Sequence, residues 1–282
     1  MRAQYKDNFH PKTKQDMKRH FFTAILLLAA SIQTTNAQKV VLHMAGNQTF
    51  EYSISQLDSI TFVGDDLIIE EEHEWVDLGL PSGTLWATCN VGANSPEEYG
   101  DYFAWGETKP KDEYSWSTYK WMNEGQSSES QINKYTFADG YMSACWYDGN
   151  GMFIGDGLTE LLPEDDAATA NWGNGWQMPS LSQCQELKSY TITTDTTENG
   201  VYGKKITSRS NGNSIFLPAA GYYSEKTLYE AGGFGGYWPR SLEGIYSDRT
   251  CSMDFSWGMM DTGGQSIRLA GLTVRPVRVM TR

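Results

Sequence analysis

Tyr237, Trp238, Arg240, Tyr246, Asp248, Arg249 and Trp257 place large aromatic rings and guanidinium groups in one short C-terminal stretch. Trp, Tyr and Arg join wide contact area to directional hydrogen bonds, which is the chemistry of a binding surface rather than of bond breaking. Trp238, Arg240, Tyr246, Asp248, Arg249 and Trp257 are therefore the candidate ligand contacts. Tyr237 and Trp238 also suit core positions beneath a β-hairpin, where an indole or phenol buries its ring and finds one polar partner.

Other residue groups point to metal or catalytic chemistry less well. Asp148-Gly149-Asn150-Gly151, followed by Asp156 and by Glu164-Asp165-Asp166, puts oxygen ligands on Gly-rich loops. Calcium takes six to eight oxygens, and an EF-hand needs a longer ordered pattern ending in Glu, which is not met. Turn and capping roles are the expectation here; no cofactor is expected beyond a structural calcium, with Asp148, Asn150 and Asp156 as its candidate ligands. The chain has no GxSxG, HExxH, GxxxxGK or GxGxxG motif. His10, His20 and His43 lie near the N-terminus and His73 in an acidic linker, so residues 75–282 contain no His for a general base or triad. A two-carboxylate glycosidase needs only Asp and Glu, but no pair is singled out by its sequence context. A non-enzymatic protein is expected.

Composition bounds the partners. With 39% hydrophobic and 13% aromatic residues the chain can bury a large core, and ten Trp, sixteen Tyr and 28 Gly suit short strands and ordered loops. A formal charge of −13 repels phosphate backbones, so nucleic acid is not an expected partner. Lys18-Arg19-His20, the apolar run Phe21 to Ala30 and Thr35-Asn36-Ala37 read as a signal peptide over residues 17–37. Residues 1–16 read as an extension from an upstream start, with translation beginning at Met17. Removing residues 1–37 takes away six Lys/Arg and two Asp/Glu and leaves the remainder still more acidic. No apolar run is long enough to span a bilayer. The expected location is outside the inner membrane: cell surface, secreted or periplasmic. Cys89, Cys145, Cys184 and Cys251 permit two disulfides in three connectivities, or four thiols buried as small apolar groups.

These residues must be positioned by a modest set of elements. Val40, Leu42 and Met44, a turn at Gly46-Asn47, then Phe50 and Tyr52 predict a β-hairpin within a small module over residues 38–66, with a third strand at Ser59 to Phe62. An acidic linker, 67–74, precedes one large domain over residues 75–282. There Trp75 to Asp77, Leu85 to Cys89, Ile215 to Leu217 and the alternating Cys251, Met253 and Phe255 predict strands. Ser180-Leu181-Ser182-Gln183 matches a capping box, and Leu181, Cys184 and Leu187 share the buried face of the helix that follows. Residues 106–165 predict long loops held by aromatic contacts. Pro276 lacks an N–H, so the last strand belongs at an edge or carries a bulge.

Six ordered segments carry a resemblance: EWVDLGLPSGTLWATCNVGA (74–93), YGDYFAWGETKP (99–110), DAATANWGNGWQMPS (166–180), IFLPAAGYYS (215–224), GGYWPRS (235–241) and LTVRPVR (272–278). Together they resemble the Fibrobacter succinogenes major paralogous domain of exported Bacteroidetes proteins. That family is similar to the variable proteins of diversity-generating retroelements and, distantly, to formylglycine-generating enzyme. The resemblance implies an α+β, C-type-lectin-like fold of mixed short strands, one or two helices and long ordered loops. It also implies binding through the C-terminal loops to a surface protein or glycan. Trp238 is followed by Pro239-Arg240-Ser241, where many relatives have a Ser run. The sugar-coordinating Glu-Pro-Asn and Trp-Asn-Asp signatures of calcium-dependent lectins are absent, and Cys251 has no neighbouring cysteine for formylglycine chemistry. Fold does not dictate function, so a structural or fimbrial subunit and a carbohydrate-active hydrolase stand as alternatives. Asp58-Ser59-Ile60 and Asp195-Thr196-Thr197 resemble Bacteroidetes O-glycosylation sites.

Overall fold

The alternation around Gly46-Asn47 does form a hairpin: β1 (Lys39–Met44) pairs antiparallel with β2 (Gln48–Ser53), Met44 opposite Gln48. The computed structural model describes residues 39–44, 48–53, 73–138, 144–242 and 246–279. The expected signal peptide, its upstream extension, the third strand at 59–62, the Asp58 glycosylation site and Glu70 to Glu72 lie outside those residues. Two compact units divide the chain, residues 1–68 and 69–282.

The second unit is sheet-rich α+β. After β3 (Trp75–Asp77) and β4 (Thr84–Ala87) comes a long stretch of loops and short 3-10 turns, then α1 (Ala167–Trp172) and α2 (Leu181–Tyr190). Strands follow: β5 (Thr191–Glu198), β6 (Val201–Ser208), β7 (Ser214–Pro218), β8 (Tyr222–Ser224), β9 (Thr227–Tyr229), β10 (Gly235–Tyr237), β11 (Arg249–Ser256), β12 (Met259–Ile267) and β13 (Val277–Val279). They make antiparallel sheets in the orders β13-β4-β3, β5-β6-β7, β10-β11-β12 and β8-β9. The first of these joins the start of the unit to its end. Pro276 stands just before β13, an edge strand, and its carbonyl accepts from the Ala87 N–H at 3.0 Å, a place that asks no donor of it.

Local chemistry explains the elements nearest the site. The Ser180 hydroxyl accepts from the Gln183 N–H at 3.2 Å, and Gln183 Oε1 accepts from the Ser180 N–H at 2.8 Å, which caps α2 reciprocally. Leu181, Cys184 and Leu187 are buried on the face that α2 turns to β5, β11 and β12. Between β5 and β6, Asn199 (φ 47°) and Gly200 (φ 85°) are both left-handed, the two-residue hairpin turn whose twist matches the flanking strands.

The core has two large clusters. Trp86, Leu187, Ile206, Leu217, Tyr237, Met253, Phe255 and Val277 fill one. Phe103, Trp105, Tyr135, Ala168, Met178, Trp238, Leu272 and Val274 fill the other, beneath the long loops. Each large apolar side chain among them contributes about 1.5–3 kcal/mol through burial. Polar groups hold the irregular segment in register: Tyr135 (φ 59°) receives Trp105 edge-on at 5.1 Å and Trp121 at 5.8 Å. Asp156 accepts from the backbone N–H groups of Tyr135 and Thr136 at 2.8 Å each, and buried Arg268 donates to the Tyr135 carbonyl at 2.9 Å. A left-handed backbone at a bulky residue persists only where its surroundings over-determine it, and these three contacts do so.

One boundary needs correcting. His73, assigned to the linker by its acidic neighbours, stacks on Trp172 with ring centroids 3.6 Å apart and meets Trp176 edge-on at 6.1 Å. Its imidazole covers indole surface, so the large domain begins before residue 75 and does include one His. Among the described residues no helix is long and apolar enough to cross a membrane. No disulfide joins the four cysteines: Cys184 and Cys251 are buried, Cys89 and Cys145 half-buried.

Candidate functional site

The candidate ligand contacts do not form one surface. Trp238 is fully buried, and its indole N–H donates to the Phe103 carbonyl at 2.8 Å. It is a core residue, and the expectation that it touches ligand is corrected. Tyr237 is buried beside it in sequence, its hydroxyl donating to the Pro218 carbonyl at 2.7 Å. Arg240 is half-buried: its guanidinium meets Glu160 at 3.2 Å, while its backbone N–H donates to the Pro179 carbonyl at 2.8 Å. Tyr246, Asp248 and Arg249 gather where β11 begins. Arg249 donates its N–H to the Tyr246 carbonyl at 3.2 Å and lies 3.8 Å from the Asp248 carboxylate.

Trp257 is elsewhere. It sits past the other end of β11, in the turn to β12, and is 77% exposed. At about 3.3 Å per residue, the eight steps from Arg249 span roughly 26 Å. Only Trp257 and its neighbours can therefore form a site at that tip.

The tip is built by two hairpins meeting. One face of the Trp257 indole lies against the Tyr202 ring, centroids 5.1 Å apart and planes 22° from parallel. Tyr202 and Lys204 come from β6 on the side that β11 and β12 cover. Asp195, opposite Lys204 in the β5–β6 register, ties the parts together. One of its carboxylate oxygens accepts from the Tyr202 hydroxyl and the Lys204 ammonium, and the other accepts from the Gly258 N–H at 3.1 Å. The same carboxylate thus fixes the ring behind Trp257 and the turn that carries it. Gly258 has φ 75°, a backbone conformation that favours glycine, so the turn places the indole outward without strain.

Electrostatics follow from this arrangement. Burial opposes ionisation of Asp195, but hydrogen bonds from Lys204, Tyr202 and the Gly258 N–H hold its carboxyl below the usual range. Burial, then the Asp195 hydrogen bond, pushes the Tyr202 phenol up to about 12, so it stays a neutral donor at physiological pH. Lys204 is buried with its charge answered by Asp195. Asp195, which the glycosylation pattern would use as a sequence marker, is thus structurally committed.

The candidate calcium ligands take turn and capping roles. Asp148 accepts from the N–H groups of Asn150 and Met152 at 2.8 and 2.9 Å and closes its own loop. Asp156 serves Tyr135, Thr136 and Leu158. Asp165 is buried between Lys120 (2.9 Å) and Lys134 (2.6 Å), and Asp166 caps α1 through the Thr169 N–H at 2.9 Å. Among the described residues no group of three or more His, Cys, Asp or Glu could hold a metal ion.

Sequence reasoning missed Asp195, Tyr202 and Lys204. The available signal was Asn199-Gly200 between two Thr- and Ile-containing runs, a strong hairpin pattern. No family model matches the chain, and no curated protein or solved structure does either.

Proposed function

We propose that this chain is an exported, non-enzymatic recognition protein whose large domain has a C-type-lectin-like fold. Its binding face lies at the β11–β12 tip, and its partner is a protein or glycan at the cell surface or beyond. The observation that carries the reading is Trp257: one face of an otherwise exposed indole is backed by Tyr202 and held by Asp195. A pre-organised aromatic plate loses little entropy on binding and gives large contact area, which is how anchor residues work. The fold reading is supported by the six sequence segments and by mixed short strands, two α-helices and long aromatic-pinned loops. A glycan array and a panel of host surface proteins, probed with the full chain with and without calcium, test it. A saturable partner lost in Trp257→Ala is expected; silence on both panels would instead favour a structural or fimbrial subunit.

A second reading, a carbohydrate-active hydrolase, is favoured by one pair. Asp254 and Asp261 face each other across β11 and β12. Directly opposed cross-strand residues hold their Cβ atoms about 5 Å apart, which brings the two carboxyls within range of the roughly 5 Å separation used by retaining glycosidases. Asp254, half-buried and pushed up to about 6 by desolvation, has the character of a general acid. Turnover of chromogenic glycosides, abolished by Asp261→Asn, is what this reading requires.

A further inference from the structure

We infer that the Trp257 tip takes a neutral carbohydrate, with the indole stacking on the apolar face of a pyranose ring and Asp195 accepting from its hydroxyls. This rests on the recognition reading and narrows it to one class of ligand at one site.

Three observations select that ligand. The first is the shape of the apolar surface. Trp257, 77% exposed with Tyr202 behind it, presents one ring face to solvent. Its chain neighbours Ser256 and Gly258, and Thr197, which stands opposite Tyr202 in the β5–β6 register, are small, polar and exposed. A stable protein interface buries about 800 Å² per partner around an apolar centre. A single indole face is far smaller and matches one sugar ring.

The second is chemical complementarity. An indole face carries the negative part of the ring quadrupole. The axial C–H groups of a pyranose carry partial positive charge and lie on one flat face, so the two stack. The ring's hydroxyls project from its rim and need acceptors and donors beside the plate. Asp195, with its side chain 28% exposed, supplies carboxylate lone pairs. Tyr202 and the Gly258 N–H already fix the carboxylate, so it is oriented before ligand arrives.

The third is charge. The chain carries −13 overall, and Glu97 adds an acidic group on the β5–β6 turn through its hydrogen bond with Asn199 (2.7 Å). Among the described residues, the lysine beneath the plate, Lys204, is buried with its charge answered by Asp195, so it is not presented to a sulfate or uronate. The field repels anionic sugars, so the ligand is uncharged.

The test titrates the full chain, and its Trp257→Ala and Trp257→Phe variants, with neutral gluco-, manno- and xylo-oligosaccharides and with heparin and oligogalacturonate fragments. Calorimetry measures affinity and circular dichroism confirms folding. Saturable binding of at least one neutral series is expected, at least tenfold weaker in Trp257→Ala and partly retained in Trp257→Phe. Neutral binding unchanged in Trp257→Ala would overturn the placement. Binding of the anionic fragments alone, or of no sugar, would overturn the ligand class. In those cases a protein partner whose binding is lost in Trp257→Ala would still uphold the recognition reading, and its absence would remove that reading as well.

Discussion

Arg249 and Trp257 stand at opposite ends of β11, the first opening the strand and the second just beyond its close. Roughly 26 Å of extended backbone separates them, so no small ligand touches both. Arg249 belongs with Tyr246 and Asp248, while Trp257 belongs with Tyr202 and Asp195 on the neighbouring hairpin. A loop cluster that is continuous in sequence is two places in space.

Trp238 and Trp257 should respond oppositely to truncation. Trp238→Ala empties a fully buried site and takes one of two donors from the Phe103 carbonyl, which keeps the Leu272 N–H; the expected cost is about 3–5 kcal/mol, mostly from the cavity. Trp257→Ala removes an exposed ring and its stack on Tyr202, about 1 kcal/mol or less. Urea unfolding of the two variants checks this, and similar losses in both would contradict the assignment of core and surface.

Asp254 gives stability a pH dependence of known sign. Burial, with the Asp261 charge adding to it, raises its carboxyl to about 6, against a smaller opposing hydrogen bond from Ser252. A folded value above the unfolded one means that the folded state keeps an extra proton between about pH 4 and pH 6. Stability therefore falls as pH rises through that window. Asp254→Asn should be more stable than the parent above pH 6, by on the order of 2 kcal/mol, and equal to it below about pH 4. An unfolding difference that does not change with pH would refute this.

Asp165 is the buried hub of the long loops, bound by Lys120, Lys134 and the Tyr135 hydroxyl. Burial works against its charge, yet those donors hold its carboxyl below the usual range. Its stabilisation is present above the unfolded value and is lost as pH falls through the depressed one. Asp165→Asn leaves two ammonium groups without their counter-ion and is expected to cost about 2–4 kcal/mol at neutral pH. Thermal unfolding measures it, and a shift within error of zero would show that the lysines are satisfied elsewhere.

Thiol labelling should show all four cysteines reacting without prior reduction once the chain is denatured. In the native protein Cys184 should react last, because burial raises its thiol far above the usual range and no reagent reaches it. Mass spectrometry counts the labels. Fewer than four under denaturing, non-reducing conditions would reveal a disulfide.

Patterns set by local rules were legible in the sequence. Ser180 and Gln183 announced the start of α2, and the spacing of Leu181, Cys184 and Leu187 announced its buried face. Alternation across Gly46-Asn47 announced the first hairpin, and Pro276 an edge. The site was only half legible, for a physical reason. Trp257 stood out by type, but its partners Tyr202 and Asp195 reach it through a register between β5 and β6 and through the packing of two hairpins, neither of which local spacing encodes. Trp238 misled because an indole serves a core and a surface equally well. Its neighbours Phe103 and Leu272, distant in sequence, decide the matter. His73 was hidden in the same way, since its stacking partner Trp172 comes about a hundred residues later.

The most direct measurement compares Trp257→Ala with Arg249→Ala against whichever partner the binding screen identifies, by calorimetry on folded full-length chains. If recognition occurs at the Trp257 tip, affinity falls at least tenfold in Trp257→Ala and stays within twofold of the parent in Arg249→Ala. The reverse order, or no change in Trp257→Ala, would contradict it and place the binding face at the start of β11 or elsewhere.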